Sequence, residues 1–158
     1  MHFATKDFQV DSQDLAVQFW DCGRSATNSW ALPRLFYRST HVCLYCFDIT
    51  SEESFNLLPS LIDTAEPYLN EHTIKVMIGC KKDLEANRSD VASAMAASRG
   101  CLYFECSSKT AEGIEDMMQS ILPRLLNVIP LLDEAFKTDG IFINQGDQTP
   151  HDNWPCQC

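Results

Sequence analysis

The 158-residue chain is long enough for one domain, which at this size buries roughly two thirds of the surface that the unfolded chain exposes. Its hydrophobic content of 45% and charged content of 22% are typical of a globular protein. The net charge of -10 excludes a basic face for nucleic acid. No apolar run is long enough for a transmembrane helix, and the first residues lack the apolar core of a signal peptide, so we expect a cytoplasmic protein.

The eight cysteines include a CxxC pair, Cys43 and Cys46, which raises the question of a metal or redox site. In the cytosol the thiols are expected to stay reduced. The pair lies in the apolar run 42–47, where residues three apart along a strand point to opposite faces. The two thiols are therefore not expected to chelate together, and we interpret them as core side chains.

The N-terminal region predicts a β-hairpin. Apolar and polar residues alternate over 3–10 and 15–20, and the polar segment 11–14 separates them. Such a hairpin would form the antiparallel edge of a mixed sheet. Residues 26–38 are expected to be irregular with a short helix, because Pro33 opposes a long one.

From residue 42 onward, strands and helices alternate. The apolar runs that predict strands are 42–47, 74–78 and 101–105. The first predicted helix runs from Thr50 or Ser51 to about Tyr68, with a kink or interruption near Pro59. The second covers 89–98 and stops at Gly100. The third runs from Gly113 to about Ile129, with a bend or early end at Pro123. This alternation is typical of an α/β domain with a parallel sheet, here over residues 1–129. Residues 130–158 lack periodicity and predict a flexible tail.

Two of these strands end in polar loops. CKKD occupies 80–83 after one strand, and ECSSK occupies 105–109 at the end of the next. Because ligands of open α/β sheets bind at the carboxyl ends of the strands, the two loops predict one site at one edge.

These motifs resemble the Ras-like small GTPases. CKKD is similar to their guanine-specificity loop, Asn-Lys-x-Asp, and ECSSK is similar to their second base-contacting loop. Four upstream features, which resemble the Rab branch in particular, are residues 17–21, Gly23, residues 36–38 and residues 46–55. The resemblance extends from about residue 3 to about residue 126. It implies a three-layer Ras-like P-loop GTPase fold, with a mostly parallel mixed sheet and an antiparallel edge hairpin.

The resemblance also implies roles for single residues at a guanine site. Asp83 matches the carboxylate that accepts both guanine donors, and Lys81 matches the lysine whose stem lies along the base. Ser107, Ser108 and Lys109 match the loop that frames the base from the other side. CKKD alone favours a solvated turn, but its combination with ECSSK after the next strand favours guanine binding.

Several positions depart from the family pattern. Cys80 replaces the asparagine that ties the base loop to the phosphate loop, and a thiol is a weak donor and acceptor. Losing those bonds should cost about 1–3 kcal/mol. Asp21 matches the residue that holds Mg²⁺ through water, and Gly23 matches the one whose N–H binds the γ-phosphate. Gly23 comes one residue early, however, and no catalytic glutamine follows it.

The family's phosphate loop, GxxxxGK(S/T), has no counterpart in the sequence. Residue 3 aligns just beyond the first switch, so we expect the first strand, the phosphate loop and the first switch to lie upstream of Met1. The cofactors that the resemblance implies are GTP or GDP with Mg²⁺, although this chain is expected to bind them weakly and to hydrolyse GTP weakly or not at all.

Two functional readings remain open. One is a shortened Rab-like GTPase, a guanine-nucleotide switch in vesicle trafficking with Rab-type regulators and effectors. The other is a pseudo-GTPase that keeps the fold as a protein-interaction module without catalysis. An unrelated flavodoxin-like or receiver-type domain would explain the alternation of strands and helices but not the two loops.

The C-terminal residues Cys156 and Cys158 resemble the Cys-x-Cys ending of Rab proteins, which carries two geranylgeranyl groups. Two long chains anchor stably where one is marginal, and the acidic tail offers no polybasic patch as a second signal. The resemblance implies peripheral attachment to the cytosolic face of an intracellular membrane. The alternative is two incidental cysteines on a flexible tail.

Overall fold

The computed structural model describes residues 2–22, 37, 40–84 and 89–138. Within these ranges the strands are β1 (His2–Val10), β2 (Gln13–Asp21), β3 (Val42–Asp48), β4 (Ile74–Cys80) and β5 (Leu102–Cys106). The α-helices there are α1 (Glu52–Ala65), α2 (Ser89–Ser98) and α3 (Ile114–Thr138), and a short 3-10 helix (Glu66–Tyr68) follows α1. The predicted irregular segment 26–38 lies outside these ranges except for Tyr37, whose side chain is buried.

The predicted hairpin is confirmed, with a tighter turn than the sequence indicates. β1 and β2 pair antiparallel over their whole length, from His2 opposite Asp21 to Val10 opposite Gln13. The connecting residues Asp11 and Ser12 have φ of 49° and 65°. Positive φ at both central residues is the geometry of the turns whose twist matches that of a hairpin, and it is accessible to aspartate.

The predicted parallel sheet is also confirmed. Its strand order is β3-β4-β5, with both pairs parallel, so α1 and α2 serve as the crossover helices. β4 is central, and Val76 and Met77 on its two faces are fully buried. This central position explains why four consecutive residues of β4, 76–79, are buried.

The hairpin and the parallel sheet form two separate sheets rather than the single mixed sheet that we expected. The hairpin instead docks through apolar side chains, as Val10 packs with Leu122 and Leu125 of α3. Side-chain packing of this kind fixes the hairpin near the sheet without backbone hydrogen bonds to it. In the part of the chain that the structure describes, β3 therefore pairs with β4 alone.

Helices cover both faces of the parallel sheet, which gives the three layers predicted from the sequence. On one face, Tyr45, Phe47 and Met77 pack against the buried residues of α1 and α2. On the other, Val76 and Ile78 pack against Met117 and Ile121 of α3.

The CxxC cysteines lie on opposite faces of β3, as predicted. Cys43 packs against the core shared with α1 and α2. The interpretation of Cys46 as a core side chain is wrong, because its thiol is exposed. The face of β3 that carries Cys46 also carries Leu44, which is 39% exposed.

Two of the predicted helices begin and end close to where the sequence places them. Ser51 caps α1, since its Oγ accepts a hydrogen bond from the Ser54 N–H at 3.2 Å. The helix continues through Pro59 without interruption. α2 ends before Gly100, whose φ of 64° suits a helix stop.

The predicted end of the last helix near Ile129 is wrong. α3 continues through Pro123 and Pro130 to Thr138. A proline removes one intrahelical hydrogen bond, but the segment 131–137 that follows Pro130 is rich in helix formers. No helix in the described ranges is both long and apolar enough to cross a membrane.

Candidate functional site

The strand register brings the two polar loops to one edge of the sheet. Asp48 is opposite Cys80, and Cys80 is opposite Cys106, so the three parallel strands end level. Backbone bonds extend this alignment into the loops. The Ile49 N–H donates to the Cys80 carbonyl at 3.2 Å, and the Lys82 N–H donates to the Cys106 carbonyl at 3.1 Å.

Asp83 is the residue on which the two loops converge. Its Oδ1 accepts a hydrogen bond from the Ser107 hydroxyl at 2.6 Å, and its Oδ2 lies 3.7 Å from the Lys109 ammonium. The Asp83 side chain is 13% exposed. The structure thus brings together the carboxylate and the second-loop residues that the sequence assigned to one site.

Asp83 is ionised at neutral pH. The Ser107 hydrogen bond is the largest cause that holds the pKa of Asp83 below its ordinary value, and the charge of Lys109 contributes in the same direction. An ionised carboxylate is only an acceptor, and each of its oxygens has room for more than one donor. Asp83 can therefore accept further hydrogen bonds from a ligand while it keeps its protein partners.

Ser107 is a buried residue that holds the Asp83 carboxylate in place. Its side chain is fully buried, and its Oγ accepts from the Thr110 N–H at 3.2 Å while it donates to Asp83. Its own N–H donates to the Glu112 carbonyl at 2.9 Å. Ser108 and Lys109, by contrast, are exposed. Of the second loop, these two residues are the ones available to a ligand, and Ser107 acts through Asp83.

Lys81 is held by a partner that the sequence analysis missed. Its Nζ lies 2.5 Å from Asp48 Oδ2, while Asp48 Oδ1 accepts from the N–H and the hydroxyl of Thr50 at 2.9 and 2.7 Å. The Lys81 hydrogen bond is the largest cause that lowers the pKa of Asp48 to about 2, and Asp48 in turn raises the pKa of Lys81. The available signal was the position of Asp48, a carboxylate at the end of the strand beside β4.

Cys80 does not provide the link that an asparagine amide would make. Its Sγ donates to the Ile78 carbonyl at 3.9 Å, and the nearby Cys46 thiol on β3 lowers the pKa of Cys80. The side chain is thus directed into the sheet rather than toward the loops.

Of the residues proposed for magnesium and phosphate, the structure describes only Asp21. Asp21 is the last residue of β2, in the other sheet. Gly23 lies outside the described residues, as do Cys156 and Cys158. Over the ranges that the structure describes, no group of three or more His, Cys, Asp or Glu side chains could hold a metal ion. The role of Asp21 stays a prediction.

A depression of about 450 Å³ lies between α2, β5 and the start of α3. It includes Lys82 but not Asp83, and its other charged residues are Asp90, Glu105 and Asp116. Lys82 is paired with Glu112 at 2.9 Å. The acidic lining disfavours an anionic ligand there, so the site at Asp83 remains the stronger candidate.

Comparison with protein families agrees with this geometry. A family model described as Ras family matches residues 1–127. The match spans the hairpin, the parallel sheet and both polar loops.

Proposed function

This chain belongs to the Ras family, and from that premise we propose that Asp83 and the two loops around it bind the base of a guanine nucleotide, GTP or GDP. The observation that carries the proposal is the Asp83 carboxylate, which Ser107 and Lys109 hold at the carboxyl edge of the sheet. It is ionised, mostly shielded from solvent and able to accept further bonds.

The chemistry of this carboxylate suits guanine. Guanine presents an N1–H and an exocyclic amine side by side, whereas adenine has no such pair of donors. A carboxylate can accept from both, and each hydrogen bond to a charged group contributes about 1.5–3 kcal/mol. The bound base would lie between Lys81, whose side chain is 57% exposed, and the exposed Ser108 and Lys109.

We infer that binding is weak and hydrolysis weak or absent in this chain. Triphosphates are stabilised mainly by backbone N–H groups, a lysine and Mg²⁺, and the sequence contains no GxxxxGK(S/T) run to supply the first two. The Cys80 thiol adds no amide link at the base loop. Isothermal titration with Mg·GTP is expected to give no sub-micromolar dissociation constant.

Base selectivity is the direct test. We expect the 158-residue protein to bind GDP more tightly than ADP, measured by NMR chemical-shift titration because the affinities are low. Asp83→Asn keeps the shape but replaces one acceptor oxygen by a donor, and it should abolish the preference for guanine.

The matched control is Asp90→Asn, which neutralises an exposed carboxylate at the start of α2. This variant should keep the preference. A GDP-to-ADP affinity ratio that is unchanged by Asp83→Asn would show that the carboxylate does not read the base.

The Rab-like segments and the terminal cysteines support a finer proposal. We propose a role in vesicle trafficking, with Rab-type regulators and effectors as partners and with Cys156 and Cys158 as prenylation sites for an intracellular membrane. Mass spectrometry of the tail peptide and cell fractionation test this, with the Cys156→Ser/Cys158→Ser variant for comparison. Equal membrane association of the two forms would contradict it.

One observation favours a second candidate, a protein-interaction module without nucleotide. Cys80 stands where the family has an amide, and its thiol is bonded within the sheet. The same titration separates the two candidates. If GDP and ADP cause no shifts at millimolar concentration, the interaction module becomes the better reading.

A further inference from the structure

β5 is the last strand of the parallel sheet, and in the described part of the chain it pairs with β4 alone. The Cys106 carbonyl faces the β4 side, because it accepts the Lys82 N–H at 3.1 Å. Alternate residues of a strand direct their backbone groups to opposite edges, so Tyr103 and Glu105 direct theirs away from β4. The position of Gly113 agrees, since a Cβ built on it would lie 2.2 Å from the Glu105 carbonyl oxygen.

The outer edge of β5 is open over a short window. At one end, the Cys101 N–H donates to the Ala96 carbonyl of α2 at 2.8 Å. At the other end, the Ser107 N–H donates to the Glu112 carbonyl at 2.9 Å. The N–H groups of the two outward-facing residues between them have no backbone partner among the described residues. At the usual rise of a strand the window is about 20 Å long, which suits an added strand of about five residues.

The depression of about 450 Å³ lies along this window, between α2 and the start of α3. Its lining includes residues 103–105 of β5. Tyr103 packs with the core on the α2 side of the sheet, and Phe104 packs with the core on the α3 side. An extended segment in the depression would therefore have backbone groups along one edge and a helix on either face.

The charges around the depression favour a cationic occupant. Carboxylates line it from three elements, with Asp90 on α2, Glu105 on β5 and Asp116 on α3. Lys82 also lines it, but its ammonium is paired with Glu112 at 2.9 Å. The electrostatic attraction for a basic segment is therefore distributed along the whole window.

The Glu105 carboxylate is oriented by two hydroxyl donors. Its Oε1 accepts from the Ser89 hydroxyl at 2.5 Å and from the Tyr103 hydroxyl at 2.6 Å. A carboxylate has about four lone-pair sites, so Glu105 can also accept from a cation. Because side chains alternate between the faces of a strand, Glu105 shares the α2 face with Tyr103. A basic side chain that pairs with it must lie on that face of an added strand.

Charge also separates the possible occupants of the window. Residues 139–158 of this chain contain three aspartates and no lysine or arginine, so the carboxylates of the depression repel them. A second copy of the chain, with its net charge of -10, is disfavoured for the same reason. A basic segment of a different protein is the occupant that the charges favour.

From this arrangement we propose that the outer edge of β5 binds an extended basic segment of a partner protein, which adds to the parallel sheet as a fourth strand. In strand addition, main-chain hydrogen bonds contribute affinity and alternate side chains contribute specificity. Lysines or arginines at alternate positions pair with Asp90 and Glu105 on the α2 face. The intervening apolar positions contact Phe104 on the α3 face. The proposal does not depend on nucleotide binding at Asp83.

A peptide titration of the 158-residue protein tests this proposal. The probe is a capped synthetic peptide of about seven residues in which lysine alternates with valine, long enough to cover the window. We expect NMR chemical-shift changes centred on residues 103–105. Amide hydrogen exchange should slow at Tyr103 and Glu105, because the peptide backbone accepts from their N–H groups.

Two control peptides separate charge from strand formation. A peptide with glutamate in place of lysine should not bind, because the carboxylates of the depression repel it. A peptide with proline in place of valine keeps the positive charge but cannot continue as a strand. It should bind more weakly and should leave the exchange rates of Tyr103 and Glu105 unchanged.

Protein variants test which carboxylates attract the peptide. Asp90→Asn/Asp116→Asn removes two exposed charges from the depression and should weaken binding of the lysine–valine peptide about three- to tenfold, since exposed ion pairs contribute modestly. Asp7→Asn/Glu53→Gln changes the net charge equally at exposed positions on β1 and α1, and it should change the affinity by less than about twofold.

Four results would overturn the proposal. They are no binding of the lysine–valine peptide at millimolar concentration, equal binding of the lysine and glutamate peptides, equal losses of affinity in the two double variants, and a bound peptide that leaves amide exchange at Tyr103 and Glu105 unchanged.

Discussion

At the scale of single residues, Ser107 shows how a buried hydroxyl can organise two loops. It donates to Asp83 and accepts from the Thr110 N–H, so a single side chain connects CKKD with the turn that follows β5. Because the hydroxyl is fully buried, it cannot exchange these partners for water.

We therefore expect Ser107→Ala to lower the free energy of unfolding by about 1–3 kcal/mol, the usual effect of leaving buried polar groups without a partner. Urea unfolding measures this. Ser108→Ala, at the exposed neighbouring position, should stay within about 0.5 kcal/mol of the wild type. Equal effects of the two substitutions would show that the Ser107 bonds do not stabilise the fold.

The Asp48–Lys81 pair should make stability depend on pH at the acid end. The folded-state pKa of Asp48, about 2, is below its ordinary value of 3.8. Its contribution is fully present above the ordinary value and is lost as the pH falls through about 2. Lys81→Met removes the largest cause of the lowered pKa, so its urea midpoint should fall less steeply than that of the wild type between about pH 4 and pH 2.

Asp48→Asn removes the titrating group itself and should flatten the same interval. If the urea midpoints of the wild type and both variants fall equally between about pH 4 and pH 2, the ion pair is absent in solution. Because Lys81 is more than half exposed, the effect should also shrink in high salt.

At the scale of elements, the turn before α3 depends on a glycine for two reasons. Gly113 has a φ of 74°, and a Cβ there would lie 2.2 Å from the Glu105 carbonyl oxygen. Gly100 has a similar φ of 64° but nothing within 4 Å of a built Cβ. Substitution of Gly100 therefore introduces backbone strain alone, whereas substitution of Gly113 introduces both strain and a steric clash.

Gly100→Ala should cost only the strain of a left-handed alanine, about 1–2 kcal/mol. Gly113→Ala should cost clearly more, because the strand end or the turn must also move away from the added methyl group. Thermal unfolding of the two variants tests this. Equal losses of stability would indicate that the turn accommodates the added methyl group at no further cost in free energy.

The elements that the sequence predicted well are those specified by local chemistry. Alternation and a polar turn were enough for the hairpin, and apolar runs that end in polar loops were enough for β4 and β5. The continuation of α3 past Pro130 does not follow from the sequence pattern because residues 130–138 show no clear periodicity, although they include several helix formers. The separation of the two sheets was missed because pairing between distant strands depends on packing against α3, which no local pattern encodes.

The residues of the candidate site also differ in how well the sequence alone could place them. Asp83, Ser107 and Lys109 could be placed together from strand ends alone. The Asp48–Lys81 pair could not, because it joins side chains 33 positions apart in sequence whose approach depends on the exact register of β3 and β4.

At the scale of the whole molecule, the parallel sheet has an apolar strand at its open side. In the described residues β3 pairs on one side only, and Leu44 on it is 39% exposed. The hairpin adds Phe3 and Trp20, which are 65% and 49% exposed. Open strand edges and exposed apolar side chains favour association.

We expect the protein to have marginal stability and to associate as its concentration rises, measured by sedimentation velocity. Leu44→Lys should reduce this association, because a lysine on an open edge opposes strand pairing. Val91→Lys makes the same chemical change at a position on α2 that is 59% exposed, and it should have little effect. A monomer with a cooperative, high melting temperature would contradict the expectation.

The carboxyl end of β4 is hydrogen-bonded on both flanks, through the Cys80 carbonyl to Ile49 and through the Lys82 N–H to Cys106. Those two bonds lie beyond the regular ladders, where amide exchange with solvent is usually fastest. A ligand that settles on Asp83 would hold the loop between them, so the Ile49 and Lys82 amides should exchange their hydrogens more slowly although neither touches the ligand. Occupancy of the site can therefore be detected from the backbone on either side of β4.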